Sequence, residues 1–282
     1  MAYPTVNGPY GLVPVNLIGG HPFAGSVRMI PIASAYNATL YNGDPVKFTS
    51  TGTLITSGLA YGSAATETGG TLGVFLGCEY SPASGPIYGK LHAQKWTAST
   101  VASDAMAYVC DDPNIVLKAA VITYNASTTP VIGCAPPSAL GTNLTPMATA
   151  TANDGTASNF SGNSNVGLML ASGNVRRTTT APFRVVGFVE ETKLNVVATG
   201  TTTNTSTSVT LAAADSNIKT GMAISGTGIA AGTVVDTISG TALTLSAAAT
   251  ASGTVSLTFV GYQEVLVKWN QGYHAYQNAV AI

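Results

Sequence analysis

The chain has 282 residues, of which 45% are hydrophobic and only 8% charged, and its formal net charge is −1. Globular chains usually carry roughly a quarter charged residues; here Thr, Ser, Asn and Gly supply the polarity, which suits short strands and turns better than solvated helices. With Arg176-Arg177 the one adjacent basic pair, the chain lacks the positive footprint of a nucleic-acid binder, and no run approaches the ~18 apolar residues of a membrane helix.

In chain order, residues 1–33 carry Pro4, Pro9, Pro14, Pro22 and Pro31 among dense apolar residues. Proline forbids a continuous helix and interrupts a ladder, yet the segment is too apolar for a disordered tail. It reads as an extended N-terminal arm, lying either on its own domain or on a partner subunit. Tyr3, Tyr10, Leu12, Val15, Leu17, Ile18 and Phe23 are its candidate partner-contact residues.

Residues 34–195 with 260–282 read as an antiparallel β base domain, a barrel or sandwich. Strands are expected at 41–49 after the Asn42-Gly43-Asp44 turn, and at 72–80, 105–110, 115–124 and 183–190. Asp111-Asp112-Pro113-Asn114 is turn chemistry. Residues 136–182 read as a long loop with one short element at 166–171. The run FRVVGFVE at 183–190 echoes LGVFLGC at 72–78, each with a glycine inside an apolar run, which hints at two similar halves. Residues 196–259 change character: before Phe259 there are no aromatics, and short apolar alternations recur between Gly/Thr/Ser turns. That is the pattern of a small β-sandwich-like domain. The aromatic style resumes at 262–270 (YQEVLVKWN), so this domain is expected to be inserted into a loop of the base.

Chemistry is sparse. Cys78, Cys110 and Cys134 are odd in number and far apart, which fits small core residues in a reducing cytoplasm rather than zinc ligands or a disulfide framework. His21, His92 and His274 have no motif neighbours and read as structural. The stretch 162–167 (GNSNVG) has the wrong spacing for a nucleophile elbow. The stretch 226–232 (GTGIAAG) precedes a Val/Thr strand rather than a helix, so its glycines read as turn residues and not as a phosphate cradle. Asp111-Asp112 and Glu190-Glu191 are neighbours whose side chains would point to opposite faces of a strand, so neither pair is a glycosidase dyad. The expectation is a protein without catalytic residues, metal or cofactor. The low charge also suits a surface covered by neighbours, where a lone charge is costly to desolvate.

Two stretches carry a resemblance. The opening AYPTVNGPYGLVPVNLIGG and the following IPIASAYNATLYNGDPVKF resemble the head decoration, or cement, proteins of marine tailed bacteriophages. GVFLGCEY, ASDAMAYVCDDPNIVLKAAV, PFRVVGFVEE and EVLVKWNQGYHAYQNA continue the likeness through most of residues 1–195 and 260–282. The run from TGMAISGTG to GTVSLTF resembles a Gly/Thr-rich β module of phage structural proteins, often displayed at the surface. The resemblance implies a non-enzymatic virion protein on the exterior of an HK97-fold capsid, assembled in the host cytoplasm. Its implied partners are the major capsid protein and its own copies, as dimer or trimer, with no nucleic acid or membrane, and host-surface contact through the inserted domain. A tail-tube subunit or a surface carbohydrate- or receptor-binding module are the alternatives.

Overall fold

The structure, a computed structural model, describes residues 6–17, 23, 25–57, 70–83, 89–123, 131–147, 161–170 and 181–277. The fold is all-β, and no helix among the described residues reaches seven residues. The first strands are β1 (Val13–Leu17), β2 (Arg28–Pro31), β3 (Leu40–Tyr41), β4 (Pro45–Phe48), β5 (Leu54–Thr56), β6 (Thr71–Tyr80), β7 (Leu91–Ala93), β8 (Lys95–Trp96), β9 (Met106–Cys110) and β10 (Ile115–Thr123). There follow β11 (Val131–Ile132), β12 (Asn143–Met147), β13 (Gly167–Leu170), β14 (Phe183–Phe188), β15 (Lys193–Thr202), β16 (Ser208–Leu211) and β17 (Ala223–Gly226). The last are β18 (Val235–Ser239), β19 (Ala242–Leu245), β20 (Gly253–Tyr262) and β21 (Glu264–Trp269).

Most of the described strands make three curled sheets, each around its own apolar interior, and β3 pairs with β8 as a separate two-stranded sheet. In the first barrel β2, β9, β6, β4 and β5 pair in that order, and a parallel bridge between Ile32 and Leu54 joins the two ends. Its interior holds Ile30, Val46, Leu54, Phe75, Trp96 and Val109. In the second barrel β10, β13, β12, β14 and β21 form a closed ring of pairings, because β21 returns to β10. Leu117, Ala119 and Val121 of β10 alternate into an interior shared with Leu168, Phe183, Val267 and Trp269. Such side chains each contribute about 1.5–3 kcal/mol on burial. Strand β6 reads as a continuous apolar run because both of its faces are covered. Phe75 and Cys78 point into the first barrel, while Val74 packs with the interior of the second.

The third sheet is formed by β17, β20, β15, β16, β19 and β18. Its frame is the pair β15–β20, in register from Lys193↔Tyr262 to Thr202↔Gly253. The chain therefore leaves β14 and returns to β21 at adjacent points. The new sheet begins and ends slightly outside the expected 196–259, because the aromatic Tyr262 is the last residue of its framing strand. Its β15 alternates buried and exposed residues along most of its length, around a small interior of Leu194, Val209, Ile224, Leu243, Leu257 and Phe259. Cys134, from the second barrel's side, completes that interior.

One sequence expectation needs correction. The segment 136–182 is not a loop with a single element: besides β13 it contains β12, which bridges β13 and β14. Pro146 masked β12 in the sequence. It is tolerated because β14 pairs only with Asn143 and Leu144 and does not run alongside Pro146. The described residues of the N-terminal segment lie on their own fold, one of the two courses the sequence leaves open, and the base begins before the expected residue 34. Strand β1 is laid antiparallel on β10, and β2 is a strand of the first barrel.

Candidate interaction surfaces

Of the two courses open to the N-terminal segment, its described residues follow the first and cross their own fold. Leu12 is fully buried in the interior of the second barrel, and Phe23 packs against the same cluster. Tyr10 and Val6 cover the outer face of β10 at Ala120 and Ile122. The Tyr10 hydroxyl donates to Glu264, whose other neighbour is Lys118 at 3.5 Å, and the Lys118 ammonium lies 5.4 Å from the Tyr10 ring centroid. Burial first, and the Glu264 hydrogen bond second, push the Tyr10 phenol well above its usual range. Val15, at the bulge of β1, is 40% exposed and can meet a partner. The backbone of Leu17 pairs with Ile115; Tyr3 and Ile18 lie outside the described residues. Of the seven candidates, then, Leu12 is a core residue, Tyr10 and Phe23 are internal anchors, and Val15 alone is seen to be outward-facing.

A joint between the two barrels lies at the Asn42-Gly43-Asp44 turn. Leu12 N–H donates to Gly43 O at 3.0 Å, Gly43 N–H to Phe75 O at 2.8 Å, and Ser164 N–H to Asn42 O at 2.7 Å. The N-terminal segment, β6 and the approach to β13 all meet there. Gly11 and Gly43 touch so closely that a Cβ on either would sit 2.8 Å from the other's Cα, and Gly43 has a φ of +97°. Asp44 is buried beneath this turn, accepting the Tyr41 N–H at 2.8 Å. Burial pushes its carboxyl up to about 6, against the opposing pull of its Ser164 and Tyr41 hydrogen bonds.

Many of the charged groups among the described residues are engaged within the molecule. Glu79, on the rim of the first barrel, takes Lys90 at 2.6 Å and the Tyr108 hydroxyl at 2.7 Å, with His92 at 3.6 Å. Those two hydrogen bonds hold the Glu79 carboxyl below its usual range. Asp104 accepts from the Ser81 N–H at 2.9 Å and its hydroxyl at 2.7 Å. Asp111 binds Arg28 and the Tyr276 hydroxyl, both at 2.6 Å, which ties the C-terminal turn to β2. His274 is fully buried beside Trp269, ring centroids 5.7 Å apart, and burial lowers its pKa. The thiols are buried and free; burial pushes Cys78 and Cys134 up to about 12 and Cys110 to about 11, leaving them protonated.

The motif readings can be located on this frame. Ser164 caps its own turn, its hydroxyl accepting the Val166 N–H at 3.0 Å. Gly226 closes a turn with Ile229, and Gly228 O accepts the Thr250 N–H at 2.8 Å. Among the described residues no group of three or more His, Cys, Asp or Glu side chains is arranged to hold a metal. Large exposed apolar side chains come from all three sheets: Met29 on the first barrel, Leu140 and Val186 on the second, and Val197, 65% exposed, on the third. The outer face of the third sheet is rich in hydroxyls around Val197, with Thr201 opposite Thr254, Thr199 opposite Ser256 and Ser208 opposite Thr244.

No family model, curated protein or solved structure matches this chain.

Proposed function

We propose that this is a virion structural protein of a tailed bacteriophage, one that binds the outer surface of an HK97-fold capsid and stabilises it. The observation that carries the reading is the scarcity of charge, 8% of the chain, combined with the internal engagement of Arg28, Lys90, Asp104, Asp111 and Glu264. Among the described residues the remaining exposed charges are few, and hydroxyl, amide and single apolar groups lie between them, a surface that loses little on being covered. A free protein relies on surface charge to stay apart from its neighbours; a subunit covered on assembly has less need of it. The sequence likeness to marine phage decoration proteins supports the same reading. In that role many modest apolar contacts act together, and multivalency across capsomers supplies the strength.

The test is to add purified protein to shells of the encoding phage that lack it. Saturable, stoichiometric co-sedimentation supports the reading. Self-assembly of the pure protein into six-membered rings or tubes would favour a tail-tube subunit, and absence of binding to shells would overturn decoration.

A further inference from the structure

The two barrels share one strand order. In chain order β2, β4, β5, β6 and β9 correspond to β10, β12, β13, β14 and β21; the second set closes by the parallel ladder of β10 with β13, the first by the single parallel bridge Ile32↔Leu54, one residue past β2. The registers coincide. Arg28↔Val109 and Ile30↔Ala107 match Leu117↔Val267 and Ala119↔Val265. Val46↔Gly73 matches Leu144↔Phe183, and Phe48↔Leu54 matches Pro146↔Leu168. The fourth strand of each carries a bulge at one place, Phe75/Gly77 and Val185/Gly187. The turn before the second strand repeats as well. Gly43 and Gly141 both have positive φ, and each donates its N–H to the residue just before that bulge, Phe75 O at 2.8 Å and Val185 O at 3.0 Å. Ile32, Val46, Leu54, Phe75 and Val109 are interior in one barrel, and their counterparts Val121, Leu144, Leu168, Val185 and Val267 are interior in the other. Independent origins would not be expected to reproduce strand order, register, bulge and turn together.

The copies differ most between their fourth and fifth strands. In the second copy this connection is the third sheet, running from Lys193 to Tyr262. Counted from the bulge glycines, Lys193 corresponds to Ala83; counted back from the fifth strands, Tyr262 corresponds to Asp104. In the first copy the same stretch holds only the short β7 and β8 among its described residues. In both, the ends of the excursion are clasped. Ser81 is bound to Asp104 in the first, and Gln263 N–H donates to Thr192 O at 3.3 Å in the second. A connection with clasped ends admits a folded guest at little cost to the host sheet.

We infer that the chain is a tandem duplication of one five-stranded barrel whose fourth-to-fifth connection is a slot for inserted domains, with the third sheet as the guest in the second copy. This goes beyond the decoration reading and does not depend on it.

The test uses three variants of the full chain. In the first, residues 197–258 are replaced by an Asn-Gly turn joining the paired Val196 and Phe259. In the second, a further copy of residues 193–262 is inserted after Ala83. In the third, that insert goes between Asn42 and Gly43. Hydrogen exchange is followed in β4, β6, β10, β14 and β21. The inference expects the first two variants to keep protection in these strands within about tenfold of the parent, and the third to lose it in β4 and β6. Loss of protection in β14 and β21 on removing 197–258 would make the third sheet an integral part of the second barrel. Equal damage from the Ala83 and Asn42 insertions would deny the slot. Either result overturns the inference.

Discussion

Asp44 is a buried carboxyl that the fold tolerates rather than needs as a charge. Raising it from 3.8 to about 6 corresponds to about 3 kcal/mol against the ionised form in the folded state. The sign follows from linkage. Between about pH 4 and pH 6 the folded state binds more protons than the unfolded state, so this group's contribution to stability falls as pH rises through that window and is flat above it. Asp44→Asn removes the ionisation while its amide oxygen can still accept the Tyr41 N–H. We expect the variant to be more stable than the parent at pH 7.5 by about 1–3 kcal/mol, and near parity at pH 4, since repacking around Ser164 takes back part of the gain. The three sheets need not unfold together, so the assay is hydrogen exchange in peptides spanning β6 and residues 161–170, which flank the joint. Slower exchange at pH 7.5, with a flatter dependence of stability between pH 4 and 6, is the expected result. A variant that opens faster at pH 7.5 and keeps the parent's pH dependence would show that the ionised carboxylate is stabilising and would refute the reasoning.

Three further outcomes follow from the packing. Leu12→Ala should destabilise the second barrel by about 2–5 kcal/mol, because a fully buried side chain is removed from its interior, and deletion of residues 1–17 should unfold that barrel rather than merely abolish a partner contact; thermal unfolding reads both. His274 is buried with a lowered pKa, so its contribution to stability is lost as pH falls below the unfolded value of about 6.5; in His274→Phe that acid-side slope should be reduced, as measured by urea titration at pH 5 and 7. Hydrophobic contacts are not screened by salt, whereas exposed ion pairs are, so decorated particles should retain the protein in about 1 M salt and release it in sub-denaturing urea; release by salt alone would mean an electrostatic interface.

Much of the fold could be read from the sequence where one face of a strand is apolar. The turn at Asn42-Gly43-Asp44, the strands β6, β9, β10, β14 and β21, and the short strands of the third sheet all announce themselves by alternation between turn residues. Strands β1 and β12 do not, because Pro14 and Pro146 interrupt their patterns, and each is held by neighbours far away in sequence. Strand β2 has no alternating signature within the apolar N-terminal run, because Ile30 alone of its four residues is buried. The echo between 72–78 and 183–190 is the trace of the repeated fourth strand with its bulge glycine. The rest of the repeat was invisible because barrel interiors accept any well-fitting apolar residue, so Ile30 answers to Ala119 and Phe75 to Val185 without identity. Apolar character in an N-terminal segment does not by itself separate a partner contact from a core residue. Leu12 and Phe23 belong inside, while outward groups such as Val186 and Val197 sit on strands whose pattern gives no sign of a partner.

The central claim is the protein's place in the particle, and a cryo-electron microscopy reconstruction of virions of the encoding phage tests it most directly. The account predicts density for the two joined barrels on the outside of the shell, repeated over the capsid lattice, with the third sheet attached through β15 and β20. Density of this shape stacked in rings along the tail, or its absence from the shell exterior, would contradict it.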